Sequence, residues 1–322
     1  VSIIEQAAKR LEELRRSGVA ITGPHVSPAT GAAPSAKEPA IPQLMRRVGD
    51  IADGAPPTGS PDAERRADGR RIERAPERRS QHVNLDSARL TAGGFVTPDS
   101  PRSQLADEFR VIKRPLLTNV SGKSAAPVAR ANLIMVTSSV PGEGKTFVAI
   151  NLALSIAMEL DHTVLLVDAD VARPALLERL GLPPSRGLLD VLTDHTLDLS
   201  DVLLRTNVER LSLLPAGTAH ARATELLASD AMNRLVDEMA TRYPDRILIF
   251  DAPPLLASTE SRVLATHMGQ VMLVVEAERT PQASVTQAIA TIESCPVVMS
   301  VLNKVPHSRL GAYYGYYGQY GY

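Results

Sequence analysis

An α/β fold, with a doubly wound and mostly parallel sheet flanked by helices, is what the sequence predicts, and three features carry it. From Asn132 onward, apolar runs of strand length alternate with longer helical stretches. Those runs are continuously apolar, as expected of parallel strands buried on both faces. A glycine-rich loop follows the first of them and opens a helix, so ligand chemistry is expected at the strand carboxyl ends. The 322 residues, 44% of them hydrophobic, suffice for one such core plus a substantial accessory segment.

The elements follow in chain order. Ser2 and Glu5 form a capping-box pattern, and Ile3, Ile4, Ala7, Leu11 and Leu14 recur at helical spacing up to a stop at Gly18. This amphipathic helix, residues 1–18, reads equally as a docking peptide for a partner and as a terminal helix folded onto its own domain. Residues 19–82 are rich in Pro, Gly, Ala, Ser and Arg without apolar periodicity, which predicts a disordered linker. Its arginines between Arg65 and Arg79 alternate with acidic residues, the pattern of a solvated segment, with a phosphate- or lipid-contacting patch as the lesser reading. Order is expected from Val83, with a helix over Asp107–Arg114 stopped by Pro115. Expected strands are Leu133–Thr137, Thr163–Asp168, Leu211–Leu214, Ile247–Asp251, Val271–Glu276 and Val297–Leu302, within a domain of residues 83–310.

Composition excludes several function classes. A formal net charge of −1 gives no reason to expect nucleic acid or anionic membrane as the main partner. The single cysteine, Cys295, rules out an internal disulfide and a cysteine metal cluster, and suits a reducing cytoplasm. No apolar run reaches the ~18–20 residues of a bilayer span, so membrane attachment would need a partner. Aromatics are only 3% of the chain, and six of its seven tyrosines lie in the last ten residues.

Ser139-Val140-Pro141-Gly142-Glu143-Gly144-Lys145-Thr146 is the strongest motif. In a P-loop its backbone amides and the helix N-terminus cradle phosphate oxygens, so Pro141 to Phe147 are the expected nucleotide-binding residues. Lys145 would neutralise the β- and γ-phosphates, and Thr146 would offer its hydroxyl to Mg²⁺; Ser139 replaces the usual first glycine. Asp168 and Asp170 end one strand and Asp251 ends another. Mg²⁺ takes hard oxygen ligands and keeps several waters, so Asp168 and Asp251, with Thr146, are the expected metal ligands. Asp168 or Asp170 would also take a proton from an incoming hydroxyl, making Lys145, Asp168, Asp170 and Asp251 the expected catalytic set. A strand-end aspartate taken singly reads equally well as a helix cap.

The nucleophile is expected in the tail, residues 311–322. Tyr313, Tyr314, Tyr316, Tyr317, Tyr320 and Tyr322 are interrupted by Gly315, Gly318 and Gly321, which keep the segment flexible. Residues 304–322 could extend roughly 60 Å at ~3.3 Å per residue, enough to reach a neighbouring subunit. The alternative is an aromatic self-association tail.

Together these residues resemble the bacterial tyrosine autokinases (BY-kinases) over roughly residues 84–322. The resemblance rests on Val140–Thr146 followed by Asn151-Leu152-Ala153, on Asp168-Ala169-Asp170, on Leu213–Gly217, on Asp251–Pro254 and on the terminal tyrosines. The opening residues 2–16 are similar to the autokinase subgroup of exosortase-type exopolysaccharide loci. The resemblance implies a P-loop NTPase fold, ATP and Mg²⁺ as cofactors, autophosphorylation of the tail, and control of exopolysaccharide biosynthesis and export. It also implies a separate membrane-spanning chain-length determinant, a polysaccharide co-polymerase, as activator, and a cognate tyrosine phosphatase. The chain would then be cytoplasmic and recruited to the inner membrane face. Asp107, Arg110 and Lys113 match a family helix that packs subunits into a ring, with conservative changes at both ends. Ala172 stands where the family has arginine, with Arg173 next. A partition- or septum-positioning ATPase shares the fold, but that group carries a lysine near the loop start, where this chain has Ser139 and Val140. A non-catalytic ATP-gated binder is disfavoured by the intact Lys145, Thr146 and aspartates.

Overall fold

The computed structural model describes residues 80–99, 103–242 and 245–306. The expected N-terminal helix, the expected linker up to residue 79 and the tail tyrosines lie outside the described residues.

Eight strands form one sheet in the order β1-β4-β5-β3-β6-β2-β7-β8. The central ones are β2 (Leu133–Ser138), β3 (Thr163–Asp168), β5 (Leu211–Leu214), β6 (Arg246–Asp251) and β7 (Gln270–Glu276), and β8 (Val297–Asn303) forms one edge. All six expected strands are present within a residue or so at each end. Two more, β1 (Gln81–Val83) and β4 (Leu204–Thr206), make the other edge. β1 begins two residues ahead of the expected onset of order. β4 and β5 pair antiparallel while every other pairing is parallel. Only residues 207–210 join them, too few for a crossover, and Arg210 turns the chain at φ +68°. Asn207 ties this hairpin to the segment just after β1, accepting from the Leu85 amide at 2.7 Å and donating to the Leu85 carbonyl at 3.1 Å.

Alternate residues of the central strands feed two apolar layers. Leu133, Met135, Leu165, Val167, Leu248 and Phe250 face one; Ile134, Val136, Val164, Leu166, Ile247 and Ile249 face the other. This two-sided burial explains why the strands read as unbroken apolar runs. The second layer holds α1 (Ser87–Ala92), α2 (Gln104–Val120), α3 (Lys145–Ala157) and α4 (Leu176–Leu180). The first holds α5 (Leu188–Thr193), α6 (Leu199–Val202), α7 (Ala223–Leu227), α8 (Asp230–Arg242), α9 (Thr259–Ala265) and α10 (Gln282–Ala290). Among the described residues no helix is long and apolar enough to cross a membrane.

Two expectations about α2 need correction. Pro115 does not end the helix, which runs on to Val120. The proline frees the carbonyl of Val111, a residue 74% exposed, where water can serve as donor. The continuation is held by tertiary bonds. Gln270, fully buried, donates to the carbonyls of Leu116 at 3.3 Å and Ala131 at 2.7 Å and accepts from Asn119 at 2.7 Å. The second correction concerns the triplet matched to the assembly helix. Arg110 pairs with Asp107 on the exposed side, but Lys113 is buried. Its ammonium donates to the Ser155 carbonyl at 2.6 Å and pairs with Glu159 at 2.5 Å, fastening α2 to the end of α3. Lys113 is therefore committed inside the domain.

Replacing Lys113 by Met keeps the apolar stem and removes a charge-assisted bond to a buried carbonyl. Urea denaturation of Lys113→Met is expected to show a loss of about 2 kcal/mol, whereas a change within ~0.5 kcal/mol, typical of surface sites, would show that the bond is dispensable.

Candidate nucleotide and phosphoryl-transfer site

The site grows out of the sheet's central register. β3 and β6 pair so that Asp168 stands opposite Asp251, and β2 runs alongside β6 into the loop. Partners in a parallel pair face the same side, so the two carboxylates end their strands side by side. Asp251 is fixed by its backbone: Ala252 donates to Val136 at 3.0 Å and Ala169 to the Asp251 carbonyl at 2.9 Å. The following turn is pinned where the Thr137 and Ser261 hydroxyls both donate to the Pro253 carbonyl at 2.7 Å.

Residues 139–144 make the phosphate loop. Gly142 and Gly144 sit at φ +92° and +96°, left-handed conformations that glycine adopts without steric cost. Gly144 precedes α3 without a side-chain cap, so the first amides of that helix are left for a ligand. Lys145 reaches back from the first turn, its ammonium 2.7 Å from Asp170 Oδ2 and 3.6 Å from Asp251 Oδ1. Pro141, Gly142, Gly144, Lys145, Thr146, Phe147 and Asp170 line a cavity of about 600 Å³. Phe147 is braced by Phe95, ring centroids 5.5 Å apart. Asn151, one turn further on, is also clamped, accepting from the Val96 amide at 2.7 Å and donating to the Phe147 carbonyl at 3.0 Å.

The three aspartates have different surroundings. Asp168 accepts backbone amides on both oxygens, from Asp170 at 3.2 Å and Leu176 at 3.1 Å, and borders a separate cavity of about 320 Å³. It organises the turn and the start of α4, which is the capping role a strand-end aspartate can play. Asp170 accepts the Arg173 amide at 3.2 Å and faces the main cavity. Asp251 is fully buried, and no group donates to its oxygens at close hydrogen-bond distance; the Lys145 ammonium stands 3.6 Å from Oδ1, and Lys145 and the Thr146 hydroxyl both favour its charged form. Burial, and then the charge of Asp251, push the Asp168 carboxyl up to about 7. Burial pushes Asp251 up to about 6, against the opposing pull of the Lys145 ammonium. For Lys145 burial acts downward, but Asp251 and Asp170 together outweigh it and hold the ammonium above its usual range.

This donor set fits Mg²⁺ with a nucleotide. A buried carboxylate with only loosely held partners, beside a threonine hydroxyl, is suited to a hard cation that keeps water and phosphate oxygens as its other ligands. Among the described residues no three His, Cys, Asp or Glu side chains converge to hold an ion unaided.

Within the loop, the Glu143 side chain has a place of its own. It does not line the cavity; its carboxylate turns inward to the Val140 amide, the Glu276 amide and the Thr280 hydroxyl. Arg173, Arg179, Thr224, Ser258 and Glu260 also line the cavity, and of these only Arg173 figures in the sequence argument. Burial alone would raise the Glu260 carboxyl, but hydrogen bonds headed by that of Ser258 bring it below the usual carboxylate range. Thr280, Asn303 and Lys304, which touch the back of the loop, were also missed. Asn303 ends β8, and the general placement of ligand chemistry at strand carboxyl ends is the signal that points to it.

Comparisons with known proteins agree with this geometry. The AAA domain family matches residues 131–301, slightly more than half of the chain. The putative tyrosine-protein kinase CapB of Staphylococcus aureus is 28% identical over 231 residues, 71% of this chain and 97% of that protein. The tyrosine-protein kinase CpsD of Streptococcus agalactiae is 30% identical over 194 residues, 59% of this chain and 81% of that protein. The crystal structure of the chimerical protein CapA2B2 superposes with a TM-score of 0.54 at 25% identity, covering 69% of this chain and 93% of the other. Other tyrosine-kinase relatives are much longer, and this chain spans 25–26% of their length.

Asp251→Asn tests the charge arrangement. A carboxyl raised from 3.8 to about 6 binds its proton more tightly folded than unfolded, so its destabilising effect develops as pH rises from about 4 to about 6 and is complete above that. Without nucleotide or Mg²⁺, Asp251→Asn is expected to melt higher than wild type at pH 7.5, by roughly 2–3 kcal/mol in stability, with most of that gain absent at pH 4.5. An equal difference at both pH values would contradict the assignment. The phosphate loop, its acidic floor and relatives that match over most of the chain agree on one assignment: this chain belongs to the bacterial tyrosine-kinase (BY-kinase) family and has its α/β P-loop NTPase fold.

Proposed function

We propose that the chain is an ATP- and Mg²⁺-dependent tyrosine autokinase whose acceptors are Tyr313, Tyr314, Tyr316, Tyr317, Tyr320 and Tyr322. The observation that carries it is a phosphate loop set over a buried acid pair, in a chain with six of its seven tyrosines in its last ten residues. Mg-ATP, when bound, supplies the phosphoryl group and the cation that offsets its charge. The amides of residues 142–146 and the Lys145 ammonium hold the phosphate oxygens. Thr146 and Asp251 hold the cation. Asp168 keeps the β3 turn in place through its two backbone bonds and adds negative charge beside the metal position. Asp170, which faces the cavity, receives the proton of the incoming tyrosine hydroxyl.

Family membership supports a wider role as a homo-oligomer, a ring, regulating exopolysaccharide biosynthesis and export, in the manner of the exosortase-associated subgroup. A separate membrane-spanning activator that recruits the chain to the inner membrane face is proposed on the likeness to CapB and to the CapA2B2 chimera. A cognate phosphatase would reset the tail. Each phosphotyrosine adds about −1.5 to −2 charges, so a modified tail repels its neighbours and favours release of subunits.

Mass spectrometry after incubation with Mg-ATP tests the reading. Phosphotyrosine is expected in residues 313–322 of the wild type, to fall by at least ~100-fold in Lys145→Met, in line with losing a key transition-state charge, and to be absent from a chain ending at Leu310. ATP turnover without phosphotyrosine, with the membrane partner present, would favour the partition-type ATPase instead.

A further inference from the structure

Behind the phosphate loop, away from the cavity, lies a compact polar cluster that the chemistry above does not use. Glu143 is only 1% exposed although it carries a carboxylate. One oxygen accepts from the Val140 amide at 2.7 Å, closing the loop's own turn. The other accepts from the amide of Glu276, the last residue of β7, at 3.3 Å and from the Thr280 hydroxyl in the turn that follows. The end of β8 meets the same spot. Asn303 donates to the Glu143 carbonyl at 2.8 Å, and the Lys304 ammonium donates to the Gly142 carbonyl at 2.7 Å. Lys304 also pairs with Glu276 at 3.1 Å, a contact that holds the Glu276 carboxyl below its usual range.

A physical requirement explains this arrangement. A loop that turns successive amides toward an anion must turn carbonyls the other way, and its aligned N–H dipoles repel one another until the anion arrives. The outward carbonyls of Gly142 and Glu143 are received by Lys304 and Asn303. A buried carboxylate is costly unless hydrogen-bonded, and Glu143 has donors on both oxygens. The fit is close, since a Cβ on Gly144 would overlap the Asn303 amide nitrogen. Lys304 itself sits at φ +56°, a conformation that residues with a Cβ rarely adopt, so its backbone is set by its surroundings.

We propose that Glu143 and Lys304, with Thr280 and Asn303, are positioning residues that latch the phosphate loop from behind in its anion-binding shape. The latch rests on the reading that this loop holds nucleotide phosphates, and it deepens that reading. Neither side chain need touch the nucleotide; both act by fixing which way the loop's peptide units point. Lys304 lies only nine residues before Tyr313, so the loop is bolted to the strand from which the tyrosine segment departs.

The test uses the full chain and three variants: Lys304→Met, Lys304→Arg and Glu143→Gln. Two quantities are read: the Kd of Mg-ADP by calorimetry, and hydrogen exchange of the amides of residues 140–145 in nucleotide-free protein. Lys304→Met is expected to weaken Mg-ADP binding about tenfold, the scale of one charge-assisted hydrogen bond, and to speed exchange in the loop but not in the central strands. Lys304→Arg, which keeps the charge and donors, is expected to restore both, a rescue that mere loss of packing would not give. Should Glu143→Gln not fold, Lys304→Met still decides, because its side chain is 45% exposed. Wild-type affinity and loop exchange in Lys304→Met would overturn the latch. Phosphotyrosine is measured in the same preparations after incubation with Mg-ATP: its absence from wild type that binds Mg-ADP counts against the kinase reading alone, whereas variants that bind and label like wild type overturn the latch alone.

Discussion

Side by side at the ends of two hydrogen-bonded strands, Asp168 and Asp251 are carboxylates that would repel each other and have little access to water. What makes the pair tolerable is one ammonium. Lys145, on the first turn of α3, lies within ion-pair distance of Asp170 and Asp251. Even so, burial leaves both members of the pair more willing to hold protons than ordinary aspartates. A site with excess buried negative charge has a standing affinity for cations, and the loop beside it has a standing affinity for anions. A cation carried on phosphates answers both.

The rest of the domain holds those charges in register. Parallel pairing brings three strand ends to one level, and apolar layers on both faces keep the strands from shifting. α3 must stay aligned with β2 for Lys145 to reach the acids. It is fastened near its start by Phe95 against Phe147, at its middle by the Val96 amide on Asn151 and at its end by Lys113. The turns that follow β7 and β8 close on the loop from the rear through Glu143 and Lys304. Most buried polar groups described above serve this alignment, which is why the cluster of charges can persist at a cost in stability.

The central strands were legible because burial on two faces leaves only apolar side chains, as in Leu133–Val136 and Ile247–Phe250. β1 and β4 were not, since three residues such as Gln81-His82-Val83 carry no pattern and pair only through their tertiary setting. Pro115 was read as a stop because its local cost is certain, while the compensating bonds of Gln270 come from more than 150 residues away. In the site, the loop and the strand-end aspartates were readable from residue type and spacing. Direction was not. Glu143 belongs to the motif yet points away from the cavity, and Asp168 spends its oxygens on backbone amides while Asp251 spends none. Lys113 fell in a surface motif, but packing of α2 on α3 buries it.

Calorimetric titration of wild type and Asp251→Asn with ADP, each in Mg²⁺ and in chelator, tests the central claim most directly. If the buried Asp251 carboxylate exists to hold a phosphate-borne cation, Mg²⁺ will tighten ADP binding to wild type by about tenfold or more, equivalent to about 1.4 kcal/mol, and the substitution will abolish most of that gain. Equal affinity for ADP with and without Mg²⁺ in the wild type, or an undiminished Mg²⁺ effect in Asp251→Asn, would contradict the account.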